Sequence, residues 1–143
     1  MQYSLRGAKL TERFESCRLA AYSDSAGVPT IGYGHTIHVQ LGDTCTVLQA
    51  EIWLMEDIEM AERCIRGWVN IELTQGEYDA LVDFTFNVGC YALLSSTLLT
   101  LLNAGLYDLA AQQLDTWDKA GGKELSGLLR RRIAEAGEFD GVI

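Results

Sequence analysis

The stretch Phe14–Thr36 reads FESCRLAAYSDSAGVPTIGYGHT and decides the fold. Two segments rich in apolar and β-forming residues, LAAYSD and VPTIGY, flank the short turn SAG at 25–27. This pattern is typical of a β-hairpin. The proline and the glycines that follow the turn disfavour a helix. The sequence therefore predicts strand, turn and strand, followed by a further short extended piece through His38 and Val39.

The sequence on either side of the hairpin predicts helices. Ser4 is a candidate N-cap, and the segments TVLQ from Thr46 and TQGE from Thr74 have the form of capping boxes. Glycine-containing breaks separate the later helical segments. The expected helices run from Ser4 to about Phe14, from Thr46 to about Arg66, from Thr74 through Val88, and over about 96–103, 108–119 and 126–137.

Helical spacing of apolar residues predicts the buried side of the first two helices. The expected apolar face of the first helix comprises Leu5, Ala8, Leu10 and Phe14. That of the long second helix comprises Ile52, Met55, Ala61, Ile65 and Trp68.

Together these elements predict an α+β fold that is mainly helical. A small N-terminal β-hairpin lobe, at about 16–45, is expected to join a larger helical lobe, at 1–15 and 46–143. The 143 residues suit a single domain, and one proline with no low-complexity stretch argues against a flexible linker. A cleft between two such lobes is a common place for a substrate.

Composition disfavours several classes of function. The net charge of −9 disfavours nucleic-acid binding through a basic surface. No apolar run approaches the roughly 20 residues that a membrane span needs. The N-terminal MQYSLR lacks the charged leader and apolar stretch of a signal peptide. We therefore expect neither nucleic-acid binding nor direct membrane anchoring.

The four cysteines, Cys17, Cys45, Cys64 and Cys90, form no C-x-x-C pair and have no regular spacing. With only two histidines in the chain, a zinc site is disfavoured. Without a secretion signal, we expect all four cysteines to be reduced. We expect no metal and no cofactor.

Two carboxylic acids flank the first strand. Hydrolysis of a glycosidic bond needs one acid to protonate the leaving oxygen and a second carboxylate to stabilise the cation or activate water. Glu15 falls at the end of the first helix, where the negative end of the helix dipole raises the pKa of a carboxyl group. Asp24 lies beside the turn, whose backbone N–H groups favour its charged form. Such opposed environments separate an acid from a base.

The parity of the hairpin adds Thr30 to this pair. If the loop is the three residues 25–27, Asp24 pairs with Val28, and Tyr22 pairs with Thr30. Asp24 and Thr30 then project from the same face as diagonal neighbours, roughly 7–8 Å apart at Cα. A water fits between that carboxylate and that hydroxyl. A four-residue loop would turn Thr30 to the other face.

The hairpin region closely resembles the active-site region of the phage-type lysozymes, glycoside hydrolase family 24. The family pattern is a Glu, eight residues, an Asp, five residues and a Thr. Glu15, Asp24 and Thr30 fit both gaps. Further similarity to the family's central helix and C-terminal lobe lies at 73–75, 80–84, 86–89, 96–99, 102–105, Trp117, 120–123 and 127–132.

The resemblance implies a lysozyme-like fold and a muramidase. Its reaction is hydrolysis of the β-1,4 bond between N-acetylmuramic acid and N-acetylglucosamine in peptidoglycan. Glu15 would be the general acid, and Asp24, helped by Thr30, would position or activate the attacking water. A water that attacks from the opposite face inverts the anomeric carbon and needs carboxylates about 6.5–9.5 Å apart. We therefore expect an inverting enzyme.

The resemblance also suggests supporting residues. Arg131 or Arg132 is expected to reach the cleft and pair with Glu15, and the sequence does not choose between them. His35 is expected to bond to Asp57 in a structural role. The predicted substrate-binding residues are Tyr22, Gly34, Asn87 and Arg131.

The resemblance further implies a monomeric endolysin whose partner is bacterial peptidoglycan. Such a protein accumulates in the host cytoplasm, reaches the periplasmic cell wall through a holin, and lyses the host at the end of phage infection. One departure is the acidic composition, because many members of the family are basic. A net charge of −9 disfavours approach to an anionic wall polymer.

Three other hypotheses remain open at this point. A catalytically weak lysozyme-like module would bind glycan or a protein partner, although it has no need of a paired acid and water-holder. An acidic interaction domain, such as a nucleic-acid mimic, would not require Glu15. A lytic transglycosylase would form an anhydro sugar without water, which would leave Asp24 and Thr30 without their role.

Overall fold

A computed structural model describes residues 1–117, 119–120, 123–124 and 126–141. It is mainly helical with a small antiparallel sheet near the N-terminus, which confirms the predicted α+β class. No helix in these ranges is both long and apolar enough to cross a membrane. The elements are α1 (Leu5–Phe14), β1 (Arg18–Ser23), β2 (Pro29–Gly32), α2 (Val47–Trp68), α3 (Gln75–Val88), α4 (Cys90–Leu94), α5 (Thr97–Asn103), α6 (Tyr107–Gln113), a 3₁₀ turn (Leu114–Thr116), β3 (Lys119–Ala120), β4 (Lys123–Glu124) and α7 (Ser126–Phe139).

The first three helices begin at the predicted caps. The side chains of Ser4, Thr46 and Thr74 each accept a hydrogen bond from the backbone N–H three residues further on. At Thr74 the box is complete, because the Glu77 side chain also accepts from the Thr74 backbone. At Thr46 only the forward bond forms. These bonds satisfy N–H groups that would otherwise lack partners at a helix start.

One predicted helix ends early. The segment expected to be helical over 108–119 leaves the α-helix at Gln113 and continues as the 3₁₀ turn. There the Thr116 hydroxyl donates to the Gln113 carbonyl at 2.6 Å. Such a local side-chain bond competes with the helical pattern, so the prediction was wrong at its C-terminal end.

The core is built around α3, which packs against α1, α2 and α7. Five of its residues, four apolar ones and Asp83, have no solvent exposure at all, and buried leucines of α4 and α5 belong to the same core cluster. A helix buried on nearly every side lacks the usual amphipathic stripe. The fully buried apolar residues of α3 are Ala80, Leu81, Val82 and Phe84.

The predicted apolar face of α1 was wrong at Leu5, which is 73% exposed. The residues that α1 buries are Gly7 and Thr11. A β-carbon at Gly7 would lie 2.9 Å from Asp79 Cγ, so the glycine allows α1 to approach α3 closely. Thr11 is buried because its hydroxyl bonds to Asp83. Polar contacts, and not apolar spacing, therefore orient this helix.

The predicted face of α2 was right at Ala61 and Ile65 and wrong at Ile52, Met55 and Trp68, which are exposed. The buried stripe runs through a different register, because α2 rests on both β2 and α3. Its buried residues are Ala50, Leu54, Ile58, Ala61, Glu62, Cys64 and Ile65.

The hairpin has the three-residue loop on which the position of Thr30 depended. Tyr22 pairs with Thr30, and the Asp24 N–H donates to the Val28 carbonyl at 3.0 Å. The further short extended piece, which was predicted to run through His38 and Val39, was predicted in the wrong place. Ala20 forms a single bridge with Thr44 instead. His38 has φ 58°, a left-handed conformation that no strand contains.

The expectation of four reduced cysteines was wrong for Cys64 and Cys90, which form a disulfide. The bond joins the C-terminal half of α2 to the start of α4, where helix packing brings the two Cα atoms to 5.9 Å. That separation lies in the ordinary range for disulfides. Cys17 and Cys45 are free and half-buried.

Candidate active site

Glu15 lies at the C-terminal end of α1, as the sequence predicted. Its backbone N–H donates to the Thr11 carbonyl at 2.9 Å, which closes the last turn of the helix. Its side chain is 19% exposed, and Arg131 Nη1 donates to its Oε1 at 2.7 Å. The carboxyl group therefore has a fixed orientation and only partial access to water.

Gly34 lies directly against this carboxyl group. A β-carbon at position 34 would stand 2.6 Å from Glu15 Oε2, and the residue has φ +77°. Both features favour glycine, because other residues rarely adopt that conformation and none would fit the space. The second oxygen of Glu15 thus faces the loop after β2.

The pKa of Glu15 is raised above its usual value. Burial is the main cause, since it penalises the charged form. The nearby Arg131 opposes this increase by favouring the charged form, and the negative charge of Asp83 adds to it. The position at a helix end was the only cause that could be predicted from the sequence, whereas burial is the main cause in the folded protein.

Of the two candidate arginines, Arg131 contacts Glu15. Arg132 points elsewhere, and its Nη2 donates to Glu135 Oε1 at 2.7 Å and to Asn87 Oδ1 at 2.9 Å. The amide oxygen of Asn87 is therefore engaged by Arg132. Asn87 was predicted to bind substrate, and the structure brings it to Arg132 and not to Glu15.

Asp24 lies at the end of β1 and accepts two hydrogen bonds from the turn. The backbone N–H groups of Ala26 and Val28 donate to Asp24 Oδ1 at 2.8 and 2.9 Å. Ala26 is one of the turn residues, 25–27, whose N–H groups were expected to donate, whereas Val28 lies just after the turn. The two hydrogen bonds hold the Asp24 side chain in place. Within the described ranges, these bonds engage only the Oδ1 oxygen.

Thr30 lies opposite Tyr22 in the sheet and is only 3% exposed. Its hydroxyl donates to the Val28 carbonyl at 2.9 Å. With that hydrogen committed, the oxygen lone pairs remain able to accept a hydrogen bond. The threonine can thus hold a water by accepting from it.

Tyr22 lies close to both carboxylates. Burial is the main cause of its raised pKa, and the charges of Glu15 and Asp24 both contribute to the increase. One face of its ring is occupied by the Arg18 guanidinium, 4.1 Å from the ring centroid. The side chain is half-buried, which is compatible with contact to a sugar through its exposed part.

His35 and Asp57 form the expected pair. The distance from His35 Nδ1 to Asp57 Oδ2 is 2.8 Å, and the imidazole stacks on the Trp53 ring at a centroid distance of 4.6 Å. The contact joins the loop after β2 to α2. It therefore fixes the loop that carries Gly34.

A cavity of about 300 Å³ extends from Gly34 between the hairpin region and the helices. Gly34 lines it and also contacts Glu15, so the cavity and the acid share a residue. Sequence reasoning missed most of its lining. Thr36 and Phe86 lie in stretches that carry the family resemblance and could have been predicted from it. For Met60 and Ala61 the sequence offers only helical spacing. The lining residues are Gly34, Thr36, Ile37, Asp57, Met60, Ala61, Thr85, Phe86, Gly89 and Cys90.

Metal ligands do not cluster in the part of the chain that the structure describes. No group of three or more His, Cys, Asp or Glu side chains in those ranges could hold an ion.

Known proteins resemble this chain along nearly its whole length. A family model described as phage lysozyme matches residues 12–135. The endolysin of Acyrthosiphon pisum secondary endosymbiont phage 1 is 42% identical over 144 residues, covering 98% of this chain and 99% of that one. The endolysin of Salmonella phage P22 is also 42% identical, covering 97% and 98%. The muramidase domain of SpmX from Asticaccaulis excentricus has a TM-score of 0.87 and 34% identity, covering 96% and 97%.

Proposed function

The chain belongs to the phage lysozyme family, and we propose that Glu15, Asp24 and Thr30 perform its catalysis. Its function is the peptidoglycan-lysing function of phage endolysins, and its activity is that of a glycoside hydrolase. The bond that we propose it cleaves is the β-1,4 bond between N-acetylmuramic acid and N-acetylglucosamine.

One observation carries this assignment: the Glu15 carboxyl is fixed by Arg131 on one side and faces Gly34, a residue of the cavity wall, on the other. A sugar bound along that wall places a glycosidic oxygen near Glu15 Oε2. Burial raises the pKa of Glu15, so Glu15 is protonated in a larger fraction of the molecules near neutral pH. That proton is the one that a leaving oxygen requires.

Asp24 and Thr30 act on water in this mechanism. The backbone N–H groups of Ala26 and Val28 fix the Asp24 carboxylate, whose ionised form can accept a proton from water. Thr30 accepts the second hydrogen bond of the same water. Attack from the face opposite to Glu15 inverts the anomeric carbon.

Four further residues have smaller roles. We propose that Tyr22 contacts the sugar through its exposed part and that Gly34 gives the sugar room beside the acid. The burial of Arg131 and its contact with Glu15 favour a role in orienting the acid. Asn87 would reach substrate only through its amide nitrogen, because Arg132 engages its oxygen.

The proposal extends to the setting of the reaction. We propose that the protein is a monomer, that it accumulates in the host cytoplasm, and that a holin releases it to the wall. The peptidoglycan-lysing function of its relatives requires access to that wall.

The test compares Glu15→Gln with Glu12→Gln. Glu12 lies on the exposed side of the same helix, so its variant is a matched control for the loss of one carboxylate. Purified proteins are incubated with isolated peptidoglycan, and turbidity and reducing ends are followed. We expect E15Q to lose at least about a hundredfold in rate and E12Q to match the parent. Equal rates for E15Q and the parent would remove Glu15 from the mechanism.

A further inference from the structure

Asp83, in the middle of α3, lies beneath the arginine that contacts Glu15. It is fully buried and accepts from Arg131 Nε at 3.0 Å and from Arg131 Nη2 at 2.9 Å. A third N–H group of the same guanidinium, on Nη1, reaches Glu15 Oε1 at 2.7 Å. One planar cation therefore bridges two carboxylates, with two bonds to Asp83 and one to Glu15.

Asp83 is itself held from the other side. The Thr11 hydroxyl donates to Asp83 Oδ1 at 2.7 Å, and the Tyr3 hydroxyl lies 2.5 Å from Thr11 Oγ1. Both residues are distant in sequence from α3. These contacts fix the position of Asp83. Because a guanidinium is planar and rigid, the bonds to Asp83 also fix the directions of the remaining N–H groups of Arg131.

We propose that Asp83 is a positioning residue that sets the proton affinity of the catalytic acid. By binding the edge of Arg131 formed by Nε and Nη2, it fixes the direction of Nη1 and neutralises much of the positive charge that Glu15 would otherwise face. Without that neutralisation, Arg131 would favour ionised Glu15, and an ionised acid cannot protonate a leaving oxygen. The inference rests on the proposed role of Glu15 as the general acid.

The charges around this bridge agree with that direction. The negative charge of Asp83 raises the pKa of Glu15, and Arg131 lowers it. The pKa of Asp83 is itself lowered, because the stabilisation by Arg131 and its other partners exceeds the effect of burial. Of the carboxyl groups around Arg131, Asp83 is thus one whose surroundings favour the charged form. The other titratable or charged groups that face the bridge are Tyr3 from the segment before α1, Tyr22 from β1, and Arg132 and Glu135 from α7. Asp79 of α3 lies further out, where its charge acts on Tyr3.

Glu135 requires a control of its own. It is fully buried, and burial together with the charge of Asp83 raises its pKa well above the usual value. Both effects disfavour the charged form of Glu135 as long as Asp83 carries its own charge. When Asp83 is replaced by a neutral residue, Glu135 is free to ionise and to replace the lost charge. The experiment therefore includes Glu135→Gln, which keeps this side chain neutral.

The experiment measures the pH dependence of peptidoglycan cleavage for D83N, E135Q and the D83N/E135Q double variant. Asp79→Asn is the matched control, because Asp79 is a 1% exposed aspartate one turn earlier in α3 that bonds to Ser4 and not to Arg131. In the double variant we expect the alkaline limb of kcat/KM to move to lower pH by about one unit. We expect the limb to stay in place in E135Q and in D79N, although D79N also loses stability.

Three outcomes would overturn the inference: a folded double variant with an unmoved alkaline limb, a limb that moves to higher pH, or an equal shift in D79N. If the double variant does not fold, Asp83→Glu keeps the charge and must keep the limb of the parent; a downward shift in this variant would exclude the charge as the cause. Failure of the proposed function is seen separately, as a parent that does not cleave peptidoglycan or an E15Q variant that retains full activity.

Discussion

Glu15 Oε2 and Gly34 are in such close contact that a β-carbon on Gly34 would lie 2.6 Å from the carboxylate oxygen. The first prediction follows from this contact. In Gly34→Ala the methyl group must displace the acid, and displacement of a reacting group by about 1 Å costs roughly a hundredfold in rate. We expect the variant to fold, to lose about 1–2 kcal/mol of stability from the strained backbone, and to lose activity by that factor.

Gly27→Ala is the matched control for this prediction. Gly27 has φ +80°, close to that of Gly34, but no atom would lie within 4 Å of its added β-carbon. The backbone strain is therefore similar and the contact with the acid is missing. Thermal unfolding and the rate of wall clearing are measured for both variants. Equal losses of activity in the two would show that strain, and not the position of Glu15, is responsible.

The second prediction separates the two roles of Asp24. Asn at this position keeps an oxygen that accepts from the Ala26 and Val28 N–H groups, but it has no charge with which to accept a proton. We expect Asp24→Asn to lose roughly a hundredfold in kcat with little change in melting temperature. Asp24→Ala should lose the same activity and about 1 kcal/mol of stability as well. An active D24N variant would reduce Asp24 to a turn-former.

The third prediction concerns Thr30. Thr30→Val keeps the shape of a buried strand residue and removes the hydroxyl, whereas Thr30→Ser keeps the hydroxyl and removes a methyl group. If the oxygen holds the attacking water, the rate should fall by about tenfold or more in T30V and be largely kept in T30S. Steady-state kinetics on isolated peptidoglycan distinguish them. A slow T30S with an active T30V would point to packing alone.

The fourth prediction concerns the Cys64–Cys90 disulfide. It closes a loop with a sequence separation of 26, and loss of such a bond costs about 2–4 kcal/mol. We expect reductant to lower the melting temperature of the parent and to leave the Cys64→Ser/Cys90→Ser variant unchanged. Cys17→Ser/Cys45→Ser is the control, because both cysteines are free. A parent protein whose melting temperature is the same with and without reductant would contradict the disulfide.

The sequence predicted the features that depend on local chemistry. The caps at Ser4, Thr46 and Thr74 were confirmed, because a capping side chain and its N–H partner lie within three residues of each other. The hairpin register was also predicted, since loop length fixes the parity that places Thr30 opposite Tyr22. The family resemblance identified the same stretch, and the family was confirmed by relatives that span the chain.

The features that depend on distant contacts could not be predicted. The choice of Arg131 over Arg132 depends on the rotation of α7 against α3, which one turn of sequence does not specify. The buried Asp83 is an ordinary polar residue in the sequence and becomes a partner of Arg131 only through the fold. The Cys64–Cys90 bond likewise requires the packing of α2 against α4. In each case the missing information is a tertiary contact.

The central claim is that Glu15 protonates the leaving oxygen while a water held by Asp24 and Thr30 attacks the anomeric carbon. Mass spectrometry of the fragments released from isolated peptidoglycan tests it most directly, with E15Q as the negative control. We predict N-acetylmuramic acid ends that have gained one water for each bond broken, and almost no fragments from E15Q. Anhydro ends without added water, or intact glycan strands after incubation with the parent protein, would contradict the mechanism.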